Sequence, residues 1–310
     1  MRRGAVPVSP GTTERRHVTD ARQDTTTQVP TCLGDLTVRV VGSGPPALLW
    51  HSLLVDSSSW CRVEADLAER RTLVMVDAPG HGRSACPPRR FGIHDCAAAA
   101  LDVLDALDLG VVDWLGVAWG GRVGLTFAAT YGERLRSLAM FSSSPYRLPA
   151  MWRHLSASLL VPYRVLGPLA PVTEAVMTEL LGERARRTDV EAAILVSRAF
   201  LGADRVAMTR SVRNTLLHPE DLSGVLSRIE VPTLVVAGGA DAAFTAADAA
   251  LVAGAMPHGS SDVLESVFRL APVERPQETV KLVLRHWDAC IWGWSDHGSS
   301  SPRGGESFVA

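Results

Sequence analysis

Between residues 32 and 290, short apolar runs alternate with longer stretches whose apolar positions recur at helical spacing. The runs "PALLWH" (46–51), "TLVMVD" (72–77), "VVDWLGV" (111–117) and "LRSLAMF" (135–141) are compact and almost wholly apolar, as buried parallel strands are. "LTVRVV" (36–41) alternates like an outer strand, and "VPTLVVAG" (231–238) and "SDVLES" (261–266) predict two more. "DCAAAALDVLDALDLG" predicts a helix opened by Asp95 and stopped by Gly110. "GRVGLTFAATYGERL" and "VERPQETVKLVLRHWDAC" predict two further helices. Strands alternating with helices predict an α/β fold, a mostly parallel central sheet flanked by helices.

Residues 147–228 break the alternation. They hold "MWRHLSASLLVPYRVLGPLA", "VEAAILVSRAFLGA" and "RVAMTRSVRNTLL", which predict helices with broad apolar faces, interrupted by Pro162, Gly167 and Pro171. An all-helical insertion between two strands predicts a helical cap over the carboxyl edge of the sheet. The core then spans 31–146 and 229–292. Residues 1–30 show no apolar periodicity and are expected to be disordered, and the Gly/Ser-rich segment 293–310 is expected to be flexible.

Composition narrows the partners. With 31 Lys and Arg against 33 Asp and Glu, the net charge is −2, so no basic field exists to hold nucleic acid. No apolar run reaches the roughly 18 residues of a membrane helix, and no membrane partner is expected. Five cysteines without a C-x-x-C pair predict neither a disulfide framework nor a zinc site. The first thirty residues lack the apolar core of a secretion signal, so a cytoplasmic location with reduced thiols is expected.

The turn "DWLGVAWGGRVG" (113–124) joins a predicted strand to a predicted helix through Gly116-Val117-Ala118-Trp119-Gly120. It is one of five segments that, in order, resemble the α/β-hydrolase superfamily over roughly residues 32–290. The flavour is that of small capped enol-lactonases and carbon–carbon bond hydrolases. "LLWHSLLVDSSSW" resembles the loop that supplies half of an oxyanion hole, and "VDAPGHGRS" resembles the family's D-x-P-G-H-G-x-S loop. "GVAWGG" resembles the nucleophile elbow, "VVAGGAD" the loop carrying the catalytic acid, and "FRLAPVERP" the segment that normally reads G-H-x-x-P-x-E-x-P.

The resemblance implies a Ser-His-acid triad at three positions. Ala118 stands at the serine position, Arg269 at the histidine position, and only Asp241 matches. Alanine forms no ester intermediate. Arginine, with a pKa above ~12, offers no lone pair to a proton. One engineered alanine would leave the histidine in place, so two losses point to divergence. No phosphate-loop or metal signature occurs, since "GVAWGG" lacks the required Lys and Ser/Thr, and no cofactor is expected.

What remains is a carbonyl-binding site. The backbone N–H groups of Trp119 and Leu53 are the candidate oxyanion donors. Arg269 beside Asp241 reads two ways: a salt bridge that neutralises an acid left without its histidine, or a cation that stabilises an enolate. Ala118, Ser52, His51, Ser143, Trp152 and Tyr163 are the candidate substrate contacts. His51 alternatively braces its loop, Ser143 solvates a strand end, and the cap residues Met151, Trp152, Tyr163 and Leu166 line the pocket or simply pack. Three functions follow: a cofactor-free lyase, isomerase or cyclase acting on a small apolar carbonyl compound, with secondary metabolism a fitting setting; a non-catalytic small-molecule binder; or an ester or C–C hydrolase captured as a nucleophile mutant.

Overall fold

The computed structural model describes residues 24–147, 150–216 and 218–295. The chain opens with strands β1 (Thr25–Thr31), β2 (Gly34–Gly42) and β3 (Pro46–Trp50), then helix α1 (Cys61–Ala68) and strand β4 (Thr72–Val76). Helix α2 (Ile93–Ala106), β5 (Val112–Val117), α3 (Trp119–Tyr131) and β6 (Leu135–Phe141) follow. Four helices come next: α4 (Ala150–Leu166), α5 (Ala170–Thr188), α6 (Val190–Gly202) and α7 (Arg205–Leu216). The chain returns through β7 (Thr233–Gly238), α8 (Ala246–Gly254), β8 (Gly259–Leu264), the single turn α9 (Ala271–Glu274) and α10 (Pro276–Ser295).

The eight strands form one sheet in the order β1-β2-β4-β3-β5-β6-β7-β8. β2 runs antiparallel to β1 and β4, and every other pairing is parallel. The central strands are buried on both faces, with Leu48, Leu49, Trp50, Trp114 and Leu115 at 0% exposure, which explains their unbroken apolar runs. α2, α3 and α8 cover one face and α1 and α10 the other.

Three expectations are corrected. Residues 25–30 form β1 instead of disordered chain, and 293–295 end α10; residues 1–23 and 296–310 lie outside the described residues. β1 escapes pattern reading because Val29 alone of its seven residues is buried. Its order comes from antiparallel pairing with β2, from Thr25 opposite Val40 to Thr31 opposite Gly34. As the sheet's edge strand it tolerates Pro30, whose missing N–H costs no ladder bond on the open side. Pro162 likewise does not interrupt α4, which runs through it and stops before Gly167, where φ is +85°.

The four helices between β6 and β7 pack on loops that follow the carboxyl ends of the strands. A Cβ on Gly80, after β4, would meet the Ala207 carbonyl of α7 at 2.7 Å. Arg62, in the segment after β3, reaches Asp189 at 2.8 Å. Both necks of this cap leave the core together, since Leu222 N–H donates to the Pro145 carbonyl at 2.8 Å. Arg122 on α3 staples them, donating to the carbonyls of Ser144 (2.5 Å), Tyr146 (2.9 Å) and Glu220 (2.5 Å). Burial lowers the Arg122 pKa to about 10 against the opposing pull of Asp221 and Glu220, so it remains a cation at neutral pH.

Candidate functional site

Ala118 sits between β5 and α3 with φ +49° and ψ −107°. That backbone favours glycine, as at the first central position of a type II′ turn, and is strained for alanine. Close packing holds it. A Cβ on Gly116 would lie 2.4 Å from the Gly120 backbone, one on Gly120 1.9 Å from the Trp50 carbonyl, and one on Gly121 2.0 Å from Ser143 Oγ. Ala118 N–H donates to the Phe141 carbonyl at 2.8 Å, tying the apex to β6. The methyl of Ala118 is half-buried against the core on the side of the sheet covered by α1 and α10.

The N–H of Trp119 opens α3 as one of the donors a helix leaves without an internal acceptor. Leu53 lies in the loop after β3, whose next residue, Leu54, takes φ +69° and donates its own N–H to His81 Nε2 at 3.2 Å. The Trp119 ring is buried, 6% exposed. It packs into the core, edge-on to Trp50 at 6.0 Å and tilted on His81 at 5.7 Å.

Both loop histidines are consumed. His51 Nδ1 meets the Ser52 carbonyl at 2.6 Å and its Nε2 accepts the Ala78 N–H at 2.9 Å. Nδ1 of His81 faces the Pro79 carbonyl at 3.1 Å, and its Nε2 accepts from Leu54. Each ring is therefore neutral, protonated on Nδ1, with no nitrogen left for a substrate. Burial depresses both pKa values, that of His81 to about 3 with the His51 ring adding to the effect. Of the two readings of His51, the bonds to Ser52 and Ala78 favour the loop brace over the substrate contact.

Ser143 is fully buried and donates to the Phe141 carbonyl at 2.9 Å, so it too holds the elbow instead of facing a ligand. Tyr163 is 3% exposed and stacks on Phe200 at 5.1 Å inside the cap's own core, where burial pushes its pKa to about 12. Leu166 points to solvent at 61% exposure. The side chains of Met151 and Trp152, expected at the pocket, lie outside the described residues. Ser52 is buried and offers its carbonyl to His51.

Asp241 and Arg269 meet as the resemblance implies, with Nη2 to Oδ1 at 3.4 Å and Nε to Oδ2 at 3.5 Å. The residue that sequence reading missed is Glu179 of α5. Arg269 Nη1 donates to its carboxylate and, at 3.0 Å, to its carbonyl. Burial works against the Arg269 charge, but Glu179 and Asp241 outweigh it and raise the pKa. The guanidinium is thus bound between core and cap. Glu274 sets the loop beneath it, its buried carboxylate accepting the N–H groups of Phe268 (2.8 Å), Arg269 (2.9 Å) and Leu270 (2.8 Å). A hollow of about 360 Å³ opens beside Asp241, lined by Gly239, Thr245, Val263 and Glu265. No cluster among the described residues has the ligands to hold a metal ion.

A family model for the alpha/beta hydrolase fold matches residues 45–271. The chain belongs to the α/β-hydrolase fold family. It is 24% identical over 233 residues to 3-oxoadipate enol-lactonase 2 of Acinetobacter baylyi, covering 75% of this chain and 85% of that protein. The enol-lactonase of Burkholderia xenovorans LB400 superposes with a TM-score of 0.76 at 22% identity, over 84% of this chain and 100% of that one, a likeness of fold. An uncharacterised protein of Mycobacterium bovis is 34% identical over 105 residues, 34% of this chain and 31% of its own length. The chain therefore spans about a third of the first curated relatives it matches. The family is one of enzymes, and the relatives with named activities include hydrolases.

Proposed function

We propose that this protein is a non-hydrolytic enzyme of its family. It takes a small, largely apolar carbonyl compound, holds the oxygen on the N–H groups of Trp119 and Leu53, and stabilises the enolate that develops there. Lyase, isomerase and cyclase chemistry fit, because none passes through an acyl-enzyme. The observation that carries this reading is Ala118 at φ +49°, an inert methyl on a strained apex. Strain of this kind costs on the order of 1–3 kcal/mol and persists where the surrounding structure maintains it. Glycines at 116, 120 and 121 maintain it here without a nucleophile to present, which fits a turn kept for its backbone donors.

A second reading, a binding protein without turnover, is favoured by a different observation. Arg269, Asp241, His51 and His81 all have their polar atoms committed to protein partners, which leaves no free proton carrier among them.

Aryl esters and enolisable ketones separate the readings. The unaltered protein and Ala118→Ser are expected to hydrolyse aryl esters no faster than background, and Ala118→Ser/Arg269→His to gain activity. A bound ketone is expected to show a lowered carbonyl stretch by isotope-edited infrared spectroscopy and to exchange its α-hydrogens in heavy water. A lowered stretch without exchange or turnover supports the binder. Rapid ester hydrolysis by the unaltered protein overturns both.

A further inference from the structure

Among the described residues, every exposed large apolar side chain except Tyr146 and Leu251 lies on the cap. Six of them surround one end of it. Val161 (68% exposed), Val165 (65%) and Leu166 (61%) come from the last turns of α4, Leu169 from the loop after it, Leu201 from the end of α6 and Val206 from the start of α7. Two contacts bring these elements together. Tyr163 of α4 stacks on Phe200 of α6 at 5.1 Å, and Arg205 of α7 donates to the Val165 carbonyl at 3.4 Å. The six side chains thus crown the cap's small core of Tyr163, Val172, Phe200, Met208 and Val212.

The charge around this crown is mainly positive, three arginines against Asp204. Arg164, Arg198 and Arg205 are exposed within it. Elsewhere on the molecule Arg62, Arg186 and Arg187 are neutralised by Glu191, Glu174 and Glu183, but these three have no carboxylate partner among the described residues. No Asp or Glu occurs from Arg134 to Thr173. Asp204, the acid nearest the crown in sequence, turns its carboxylate onto the N–H groups of Val206 and Ala207.

We propose that this end of the cap docks on an anionic lipid bilayer, with the valines and leucines entering the headgroup–acyl boundary and the three arginines meeting lipid phosphates. Apolar side chains on a helix edge flanked by unpaired arginines match what lies in a membrane interface. No helix of the described residues is long and apolar enough to cross a membrane, so the contact is peripheral. This departs from the expectation of no membrane partner, which rested on the absence of a spanning segment.

Co-sedimentation of the full chain with phosphatidylcholine vesicles, with and without phosphatidylglycerol, tests it. Binding to the anionic vesicles is expected to be about a hundredfold tighter, the factor three interfacial arginines supply, and to weaken as salt is raised. Val165→Glu/Leu166→Glu is expected to abolish binding, and Leu251→Glu, an equally exposed site on α8, to preserve it. Failure of the unaltered protein to bind anionic vesicles overturns the proposal without recourse to any variant. Equal binding to both vesicle types, or equal loss in Leu251→Glu, overturns it as well. So does light scattering that shows Val165→Glu/Leu166→Glu splitting a dimer that ignores vesicles, since the crown is then a self-association surface.

Discussion

Arg269 of the core grips Glu179 of the cap twice through one nitrogen, at its carboxylate and at its backbone carbonyl. Because the same guanidinium also faces Asp241, a side chain just 2% exposed, the acid of the core and the cap's second helix share one cation. Arg269→Ala is expected to lower stability by about 3 kcal/mol in urea unfolding, as loss of a buried partner does. Glu179→Gln, at a half-exposed carboxylate, is expected to cost under about 1 kcal/mol while speeding amide exchange in α5. Equal costs for the two variants would show that Asp241 does not depend on Arg269.

The elbow inverts the usual rule for glycine and alanine. Ala118→Gly is expected to raise stability by about 1 kcal/mol, because glycine adopts φ +49° without strain. Gly120→Ala, whose Cβ would sit 1.9 Å from the Trp50 carbonyl, is expected to cost about 3 kcal/mol or more. Denaturant midpoints of the two variants on the same day check both signs. A destabilised Ala118→Gly would mean that the apex is not strained.

Acid should unfold the protein through its histidines. His51, His81 and His286 are buried, and burial lowers each pKa from the ordinary 6.5, to about 3 for His81 and about 4 for His286. The unfolded chain then binds more protons than the folded one between those values and 6.5. Stability is therefore full above about pH 6.5 and falls as pH drops toward 4 and 3. Urea midpoints measured from pH 7 to pH 4 are expected to decline, and His286→Gln is expected to flatten the decline. A midpoint constant across that range would show that these rings already carry charge when folded.

The parts legible in sequence were those whose cause is local. Leu48, Leu49, Leu73 and Val74 are buried because their strands are covered on both faces, and such burial writes itself as unbroken apolar runs. The glycines around Ala118 mark a tight turn wherever it occurs, and the order of the five segments carried the family. What stayed hidden depends on partners far along the chain. Glu179 lies 90 positions from Arg269, in a helix with no motif of its own. His51 reads in sequence as either a substrate contact or a loop brace, and what decides between them is the Ala78 N–H, 27 positions away, on its second nitrogen. β1 owes its order to β2, and its own residues hardly betray it.

The neighbouring necks of the cap have an architectural corollary. Pro145 and Leu222 are hydrogen-bonded to each other, so everything between them forms an excursion that departs from and rejoins the sheet at one point. β6 and β7 pair directly beneath it, so the strand order does not depend on the excursion's length. The excursion is nonetheless joined to the sheet by packing, since its Met177, Leu180, Leu181 and Val196 enter the core on the side covered by α1 and α10.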